Sequence, residues 1–300
     1  MGQSYFAIVN PAAGGGRSQK LLAPTLERLR AGGIHVEIAE TRARGDAAAL
    51  ARDAYQRGVR NFIAVGGDGT SYEIVNGLYP QSLSAERPTL AFLPVGTGNS
   101  FLRDFSPNGV EYAIESLLTG RRRACDVLRL GHRTGVIHYI NLLSMGFSAD
   151  VAALRARRFS HWGELGYKAS IFLTLARFNR RPFPVRVEGQ TEFDRRRCLF
   201  LTFSNSKFTG GTMMIAPHAE INDGLVEYVR WGPIGRLGLI RNLPTLYDGT
   251  HVQHPLAERK AVRSVRFNLD APIDVMVDGE VLTLHCEELD VLPGALNVVA

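Results

Sequence analysis

Hydrophobic and polar positions in the first third of the chain follow a regular alternation of strand and helix patterns. Four apolar runs predict buried or half-buried strands, over residues 5–9, 34–39, 62–65 and 89–93. Helical spacing of apolar side chains predicts three helices between them, over residues 18–30, 47–57 and 70–78. Asp46 precedes the second of these helices, where we expect it to serve as the N-cap. This order predicts repeated βαβ units and a parallel sheet with right-handed crossovers.

The pattern changes near residue 123, after which short strands predominate. Their predicted ranges are residues 125–130, 136–143, 183–187, 198–204, 225–231, 261–269, 273–277 and 281–285. One helical insertion is predicted over residues 149–180, and residues 132–135 are expected to form a hairpin turn. This succession is typical of an antiparallel β-sandwich or barrel. A last strand over residues 296–299 is compatible with either half of the chain.

Length and composition agree with this division. A chain of 300 residues suits two domains, which we place at residues 1–123 and 124–300. Hydrophobic residues make up 45% of the chain, which is ample for a packed core. The predicted fold class is therefore α/β followed by all-β.

Charge and targeting signals narrow the class of protein. No apolar run approaches the roughly 18 residues of a membrane span, and the N-terminus lacks a secretory signal, so we expect a cytoplasmic protein. Cys125, Cys198 and Cys286 lie far apart, which favours reduced thiols over a disulfide or metal set. A formal net charge of +6 favours anionic partners such as a nucleotide, a phospholipid surface or nucleic acid.

The candidate chemistry is concentrated in two glycine-rich loops that follow predicted strands. Residues 66–70 read Gly-Gly-Asp-Gly-Thr, and residues 94–99 read Pro-Val-Gly-Thr-Gly-Asn. Glycines let main-chain N–H groups approach a ligand, and such groups at the start of a helix form an anion site. Because Asp68 would repel a bare phosphate, it implies a metal ion or a hydroxyl awaiting deprotonation. The loops are expected to face one crevice at the carboxyl ends of the strands, and they predict metal-assisted phosphoryl chemistry.

Three further segments carry weaker signals. Residues 10–16 (Asn-Pro-Ala-Ala-Gly-Gly-Gly) follow the first strand but lack both the dinucleotide spacing and the P-loop lysine, so a structural turn is an equal interpretation. Residues 278–280 (Asp-Gly-Glu) lie between two apolar strands and by themselves read as an ordinary hairpin turn. Residues 222–225 (Asn-Asp-Gly-Leu) also read as a turn into a strand.

Taken in order, these motifs resemble those of the diacylglycerol kinase catalytic-domain family. This family includes sphingosine and ceramide kinases and is distantly related to NAD kinases. The resemblance covers nearly the whole chain and also includes residues 75–77 (Val-Asn-Gly). It implies an N-terminal three-layer α/β nucleotide-binding domain with a parallel sheet, a C-terminal antiparallel β-sandwich for the lipid substrate, and an active site between them.

The resemblance also implies roles for particular residues. The implied nucleotide-binding positions are Asn10, Thr41, Gly66, Gly67, Asp68, Gly69, Thr70 and Thr97. Glu280 matches the proposed catalytic base of bacterial lipid kinases, with Asp68 as its rival. We favour Glu280 as base and Asp68 as the group that orients the Mg²⁺–nucleotide. A second, structural Mg²⁺ is implied at Asp223, with main-chain oxygens of Glu220 and Leu225.

The expected function is Mg²⁺-dependent transfer of the γ-phosphoryl group of ATP to a hydroxyl of diacylglycerol, a sphingoid base or a related lipid. Ser100 stands where many bacterial diacylglycerol kinases carry aspartate, which leaves the acceptor open. The alternatives are a kinase of a soluble acceptor such as NAD, and a non-catalytic, nucleotide-dependent lipid-binding protein. Expected partners are ATP and a lipid at the inner face of the membrane, without nucleic acid, and a homodimer is left open.

A basic and aromatic segment is a candidate membrane surface, with a solvated helix face as the alternative. Its residues are Arg155, Arg157, Arg158, Phe159, Trp162, Tyr167, Lys168, Phe172, Arg177, Arg180 and Arg181.

Overall fold

The computed structural model describes residues 3–15, 17–96, 99–159, 169–170, 173–175 and 180–300. The chain forms two compact units, the first made of Met1–Val127 with Leu292–Ala300 and the second of Leu128–Val291. No helix in the described ranges is long and apolar enough to cross a membrane.

The first unit contains a parallel sheet of five strands. They are β1 (Ser4–Val9), β2 (His35–Glu40), β3 (Asn61–Gly66), β4 (Thr89–Pro94) and the end of β19 (Cys286–Val299). Their order is β2-β1-β3-β4-β19, and every pair is parallel. The predicted parallel sheet is confirmed, and the last strand of the chain joins it.

Helices complete the three-layer α/β arrangement of this unit. They are α1 (Arg17–Ala31), α2 (Asp46–Gln56), α3 (Asp68–Leu78) and α4 (Gly109–Thr119). Helices α1 and α4 contact each other, as do α2 and α3. Single 3₁₀ turns lie at Ala13–Gly15, Gln81–Ser84 and Leu102–Asp104. Helix α4 was not predicted, although its buried Ala113, Ile114 and Leu117 have helical spacing.

The predicted N-cap role of Asp46 is wrong. Helix α2 has Gly45 at its N-cap, and the Asp46 carboxylate accepts hydrogen bonds from the N–H groups of Arg42 and Ala43 (2.7 and 3.0 Å). The helix end is instead satisfied by Glu73 of α3, which accepts from the N–H groups of Gly45 and Ala47 (2.9 and 3.2 Å). The carboxylate of Glu73 in α3 therefore caps the N-terminus of α2, a role that the sequence analysis assigned to Asp46.

The second unit is antiparallel throughout its described strand pairs. The strands from β5 to β18 are β5 (Arg122–His132), β6 (Gly135–Tyr139), β7 (Leu142–Gly146), β8 (Arg181–Pro182), β9 (Val185–Val187), β10 (Arg197–Cys198), β11 (Phe200–Ser204), β12 (Phe208–Thr209), β13 (Met213–Met214), β14 (Val226–Trp231), β15 (Ala257–Val262), β16 (Ser264–Phe267), β17 (Ile273–Val277) and β18 (Glu280–Leu284). The main sheet of this unit has the order β15-β14-β11-β7-β17-β18. Strands β16 and β9 pair with each other, and β16 also pairs with the start of β19. The predicted antiparallel second half is confirmed, as is the hairpin between β5 and β6.

Several helical segments accompany these strands in the described ranges, and they include residues 169–170 and 173–175. The helices with described bounds are α5 (Phe147–Arg158) and two short helices, Arg236–Asn242 and Thr245–Asp248, followed by a 3₁₀ turn at Thr250–Gln253. Helix α5 begins the predicted insertion, most of whose remainder lies outside the described residues. The three cysteines of the chain are buried free thiols, and burial raises the pKa of Cys198 and Cys286 to about 12.

Two strands that the sequence predicted as continuous are interrupted. The segment 136–143 divides into β6 and β7. The segment 261–269 divides at Arg263, so that β15 pairs with β14 while β16 pairs with β9 in another sheet. At this break the N–H of Arg263 donates to the Glu188 carboxylate (3.0 Å), a partner outside the strand pattern.

Helices α2 and α3 are in close main-chain contact at Gly77. A Cβ atom added there would overlap the carbonyl oxygen of Ala48. The glycine of the Val-Asn-Gly motif therefore serves helix packing in this structure.

We predict that Gly77→Ala lowers the melting temperature, with a loss of about 1–3 kcal/mol in the free energy of unfolding. Alanine normally stabilises a helix, so the opposite sign reports the overlap with the Ala48 carbonyl. Gly235→Ala is the control because an added Cβ there meets no atom within 4 Å. Equal melting temperatures for both variants and the wild type would contradict the close packing.

Candidate active site

Four strand ends of the first unit lie at one edge of the parallel sheet. The register pairs Val9 with Glu40 and with Val65, and Gly66 with Pro94. Residues that directly follow these positions therefore emerge side by side, which is where ligands of parallel sheets bind. The predicted nucleotide positions on this edge, apart from Thr97, are Asn10, Thr41, Gly66, Gly67, Asp68, Gly69 and Thr70.

Main-chain hydrogen bonds hold this edge together. The N–H and hydroxyl of Thr41 donate to the Val9 carbonyl (2.9 and 3.3 Å), and the N–H of Asn10 donates to the Val65 carbonyl (3.0 Å). The Asn10 side chain closes the following turn by accepting from the N–H of Ala12 (3.0 Å). In this structure Asn10 therefore has the turn-forming contact that the sequence offered as one interpretation.

The two glycine loops are joined main chain to main chain. The carbonyl of Gly66 accepts hydrogen bonds from the N–H groups of both Val95 (3.1 Å) and Gly96 (3.0 Å). A Cβ added to Gly96 would lie 2.7 Å from the Cα atom of Gly67, closer than such contacts occur. The Asn99 amide then donates to the Gly96 carbonyl (2.8 Å). The predicted pairing of the loops is observed, although Thr97 and Gly98 lie outside the described residues.

Asp68 is fixed by the second loop. Both of its carboxylate oxygens accept from the N–H of Ser100 at 3.0 Å, and the N–H of Phe101 is a further donor. Burial raises the pKa of the Asp68 carboxyl, and these hydrogen bonds oppose that shift. The buried Ser100 therefore orients Asp68 through its main chain and also through a side-chain hydrogen bond.

Helix α3 begins at Asp68, directly behind the glycines. Gly67 occupies its N-cap in an extended conformation, and among the described residues no side chain caps this end. Thr70 is buried, and its N–H donates to the Gly67 carbonyl (3.0 Å). A helix N-terminus behind a glycine turn is suited to an anion such as a phosphate group.

The second unit places the Asp-Gly-Glu motif in a tight turn between β17 and β18. Asp278 and Gly279 both have positive φ (46° and 86°), as a type I′ hairpin turn requires. Asp278 is 2% exposed, whereas Glu280 is half-buried at the start of β18. The two carboxylates of the motif therefore differ in environment.

Asp278 binds the main chain at the break between β6 and β7. Its carboxylate accepts from the N–H groups of Ile140, Asn141 and Leu142 at 3.0, 3.0 and 2.9 Å. Three charge-assisted hydrogen bonds to one buried carboxylate stabilise this interruption of the strand. The sequence analysis assigned Asp278 no role beyond the hairpin turn, because an Asp-Gly pair between two strands is an ordinary turn signal.

The implied metal position forms a turn before β14. Asp223 and Glu220 are exposed, and the Asp223 carboxylate accepts from the N–H of Leu225 (2.9 Å). Across the described ranges, no group of three or more His, Cys, Asp or Glu side chains is placed to hold a metal ion. Any cation here would therefore depend on one carboxylate, main-chain oxygens and water.

Comparisons with known proteins agree with this arrangement. The diacylglycerol kinase catalytic domain model matches residues 4–130, and the model of the YegS C-terminal NAD kinase beta sandwich-like domain matches residues 141–300. The chain belongs to the diacylglycerol kinase catalytic-domain family, with a YegS-type C-terminal domain. The order of the family domains thus agrees with the parallel and antiparallel parts of the fold.

Individual relatives cover almost the whole chain. It is 31% identical to the Chromohalobacter salexigens protein named "Probable lipid kinase YegS-like", over 91% of this chain and 86% of the relative. It is 28% identical to a diacylglycerol kinase of Mycobacterium tuberculosis H37Rv, over 98% and 94% respectively. A crystal structure of a diacylglycerol kinase from Bacillus anthracis matches with a TM-score of 0.70 at 20% identity, covering 99% of this chain and 96% of that one. Family membership supports a lipid kinase, and the solved structure shows the shared fold.

We predict that Asp278→Asn lowers the free energy of unfolding by about 2–3 kcal/mol, because an amide cannot accept from all three buried N–H groups. Asparagine tolerates positive φ, so backbone strain does not enter the comparison. Asp270→Asn, at an exposed carboxylate of the same unit, is the control. Chemical denaturation measures both variants. A loss no larger than that of the control would show that the three hydrogen bonds do not stabilise the turn.

Proposed function

We propose that this lipid kinase family member transfers the γ-phosphoryl group of Mg²⁺-bound ATP to a hydroxyl group of a membrane lipid. The observation that carries the proposal is the joined pair of glycine loops with Asp68 held by the N–H of Ser100. An anion site at a helix N-terminus beside one oriented carboxylate suits a nucleotide phosphate with its cation. Family membership supports the reaction type.

The nucleotide is assigned to the edge of the parallel sheet. Main-chain groups of Gly66, Gly67 and Gly69 would approach the phosphates, with Thr70 at the first turn of α3. Asn10, Thr41 and Thr97 complete the proposed set on neighbouring strand ends. Mg²⁺ bound with the nucleotide would neutralise phosphate charge, and Asp68 is the side chain that would orient it.

Glu280 is the proposed general base. Its carboxylate would accept the proton of the lipid hydroxyl as that oxygen forms a bond to the γ-phosphorus. The bond from this phosphorus to the bridging oxygen breaks, and ADP leaves with the electron pair. Asp278 sets the turn that begins β18 and so would position Glu280 without touching substrate. Asp68 remains the rival base, although its oxygens are engaged by main-chain N–H groups.

A structural Mg²⁺ is proposed at Asp223, with main-chain oxygens of Glu220 and Leu225. The donor set fits, because one exposed carboxylate with carbonyl oxygens and retained water is typical of Mg²⁺ ligation. The turn is already shaped by the hydrogen bond from the Leu225 N–H to Asp223. Its proposed contribution is to stabilise the second unit.

The acceptor is proposed to be diacylglycerol, a sphingoid base or a related lipid at the inner face of the membrane. Ser100 is buried and is hydrogen-bonded to Asp68 through its N–H and its side chain, so we assign its hydroxyl no contact with the acceptor. A soluble acceptor such as NAD is the competing hypothesis. Cytoplasmic location and peripheral membrane association belong to the same proposal.

We predict that the chain phosphorylates a lipid, and not NAD, in a radiolabelled-ATP assay with a panel of lipids.

We also predict that Glu280→Gln lowers kcat by about 10²–10⁴-fold. The apparent affinity of this variant for ATP should change little, because glutamine keeps the shape of the side chain but removes its proton affinity. Asp68→Asn should weaken Mg²⁺–ATP binding as well as turnover. Steady-state kinetics at saturating Mg²⁺ measure both parameters.

Different results would contradict the assignment of the base, the class of acceptor and the catalytic function. A Glu280→Gln enzyme within a fewfold of the wild type would transfer the base role to Asp68. NAD phosphorylation without lipid phosphorylation would replace the acceptor class. Nucleotide and lipid binding without any transfer would favour the non-catalytic alternative.

For the proposed structural cation, we predict that Mg²⁺ raises the melting temperature of the wild type and that Asp223→Ala removes this increase. Asp248→Ala is a matched control, because Asp248 is also exposed and accepts from the N–H two residues later, that of Thr250 (2.9 Å). Thermal unfolding with MgCl₂ and with EDTA, in the absence of nucleotide, gives the comparison. The same Mg²⁺ response in both variants would exclude this cation site.

A further inference from the structure

A short amphipathic helix of the second unit projects apolar side chains into solvent. Helix Arg236–Asn242 exposes Leu237 by 83% and Ile240 by 54%. On its other side Leu239 is 3% exposed and belongs to a hydrophobic core cluster that also contains Ile234 and Leu246. The helix thus packs against the core through the face that contains Leu239 and exposes the face that contains Leu237 and Ile240 to solvent.

The exposed face is also basic. Arg236, Leu237, Ile240 and Arg241 are all exposed and fall within one arc of about 140° at 100° per residue. We call these four residues the helix patch. Residues 232–247 contain two arginines and no carboxylate. The side chains of the patch therefore combine positive charge with large apolar groups.

Arg180 extends the positive charge beside this helix. A shallow depression is lined by Arg180, Gly235, Arg236, Leu237 and Gly238. The Arg180 guanidinium donates to the Pro233 carbonyl (3.1 Å), and that of Arg236 donates to the Leu175 carbonyl (3.1 Å). These two hydrogen bonds hold both guanidinium groups beside the helix.

The basic and aromatic segment between Arg155 and Arg181, which the sequence analysis identified as a candidate membrane surface, is a weaker candidate for membrane contact than the helix patch. Arg157 and Arg181 are engaged in ion pairs with Asp274 and Asp150 (2.9 and 2.6 Å). Trp162, Tyr167, Lys168, Phe172 and Arg177 lie outside the described residues. Among the described members of that segment, Arg180 lies beside the helix patch.

We propose that the helix patch docks on the surface of an anionic phospholipid bilayer, with Leu237 and Ile240 entering the acyl boundary and the arginines contacting headgroup phosphates. Apolar side chains flanked by arginines are the arrangement that interfacial helices use, and charge complementarity selects anionic lipids. This inference rests on the proposed function, because a lipid kinase meets its acceptor at such a surface. It adds the face of the second unit that makes the contact.

The test measures binding to vesicles that contain neither ATP nor the acceptor lipid. Co-sedimentation compares vesicles of phosphatidylcholine with an equimolar mixture of phosphatidylcholine and phosphatidylglycerol. We expect the wild type to prefer the anionic vesicles and to lose affinity as salt rises. The variant Leu237→Ser/Ile240→Ser should require about tenfold or more lipid for half-maximal binding. Arg236→Gln/Arg241→Gln should lose the preference for anionic vesicles.

A matched control removes the same kinds of side chain from another exposed site of the second unit. Val136 is 53% exposed on the β5–β6 hairpin, and Arg133 is exposed in its turn. Val136→Ser/Arg133→Gln should bind as the wild type does. Equal binding by Leu237→Ser/Ile240→Ser and the wild type, or an equal loss in the control, overturns the proposal. A wild-type dimer that Leu237→Ser/Ile240→Ser converts to monomer would also overturn it, because a second copy would then cover the patch.

Catalysis is measured separately, with a water-soluble short-chain diacylglycerol as acceptor. The Leu237→Ser/Ile240→Ser variant should keep wild-type turnover on this acceptor while losing turnover on vesicles. Reduced turnover on the soluble acceptor would indicate a general defect and contradict a docking role. A wild type that binds anionic vesicles through the patch but phosphorylates no lipid would refute the proposed function and not the docking surface.

Discussion

The candidate nucleotide site depends on the two hydrogen bonds that the carbonyl oxygen of Gly66 accepts. These bonds come from the N–H groups of Val95 and Gly96, and they join the loop after β3 to the loop after β4. The approach is close enough that a Cβ on Gly96 would strike the main chain of Gly67. Glycine is therefore required at residue 96 by the short distance between two main-chain segments.

One aspartate in each unit also joins main-chain segments that are distant in the sequence. Asp68 accepts a hydrogen bond from the N–H of Ser100, and Asp278 accepts hydrogen bonds from three consecutive N–H groups at residues 140–142. In each case a carboxylate fixes a distant loop through charge-assisted hydrogen bonds. Glu280, two residues after Asp278, is left half-buried on a turn that is itself well fixed. The proposed base is thus held in place without being fully buried.

The helix at Arg236–Asn242 shows how the second unit separates core from surface within seven residues. Leu239 packs into the hydrophobic cluster while Leu237 projects into solvent, because the helical repeat turns adjacent positions by about 100°. Buried apolar area on one side stabilises the helix, and its opposite side is then available for a partner. The arginines on that side make an anionic surface the complementary one.

The sequence by itself determined the strand–helix alternation, the parallel sheet, the antiparallel second half and the family, because local periodicity and ordered motifs carry them. It also located the glycine loops at residues 66–70 and 94–99. Only the tertiary structure decided that Glu73 caps α2, that Ser100 holds Asp68, and that Asp278 binds the main chain between β6 and β7. Each of these contacts joins residues far apart in the chain, so no local pattern encodes it. Hydrogen bonds to main-chain N–H groups are also independent of the donor's side chain, which leaves no trace of them in the residue types.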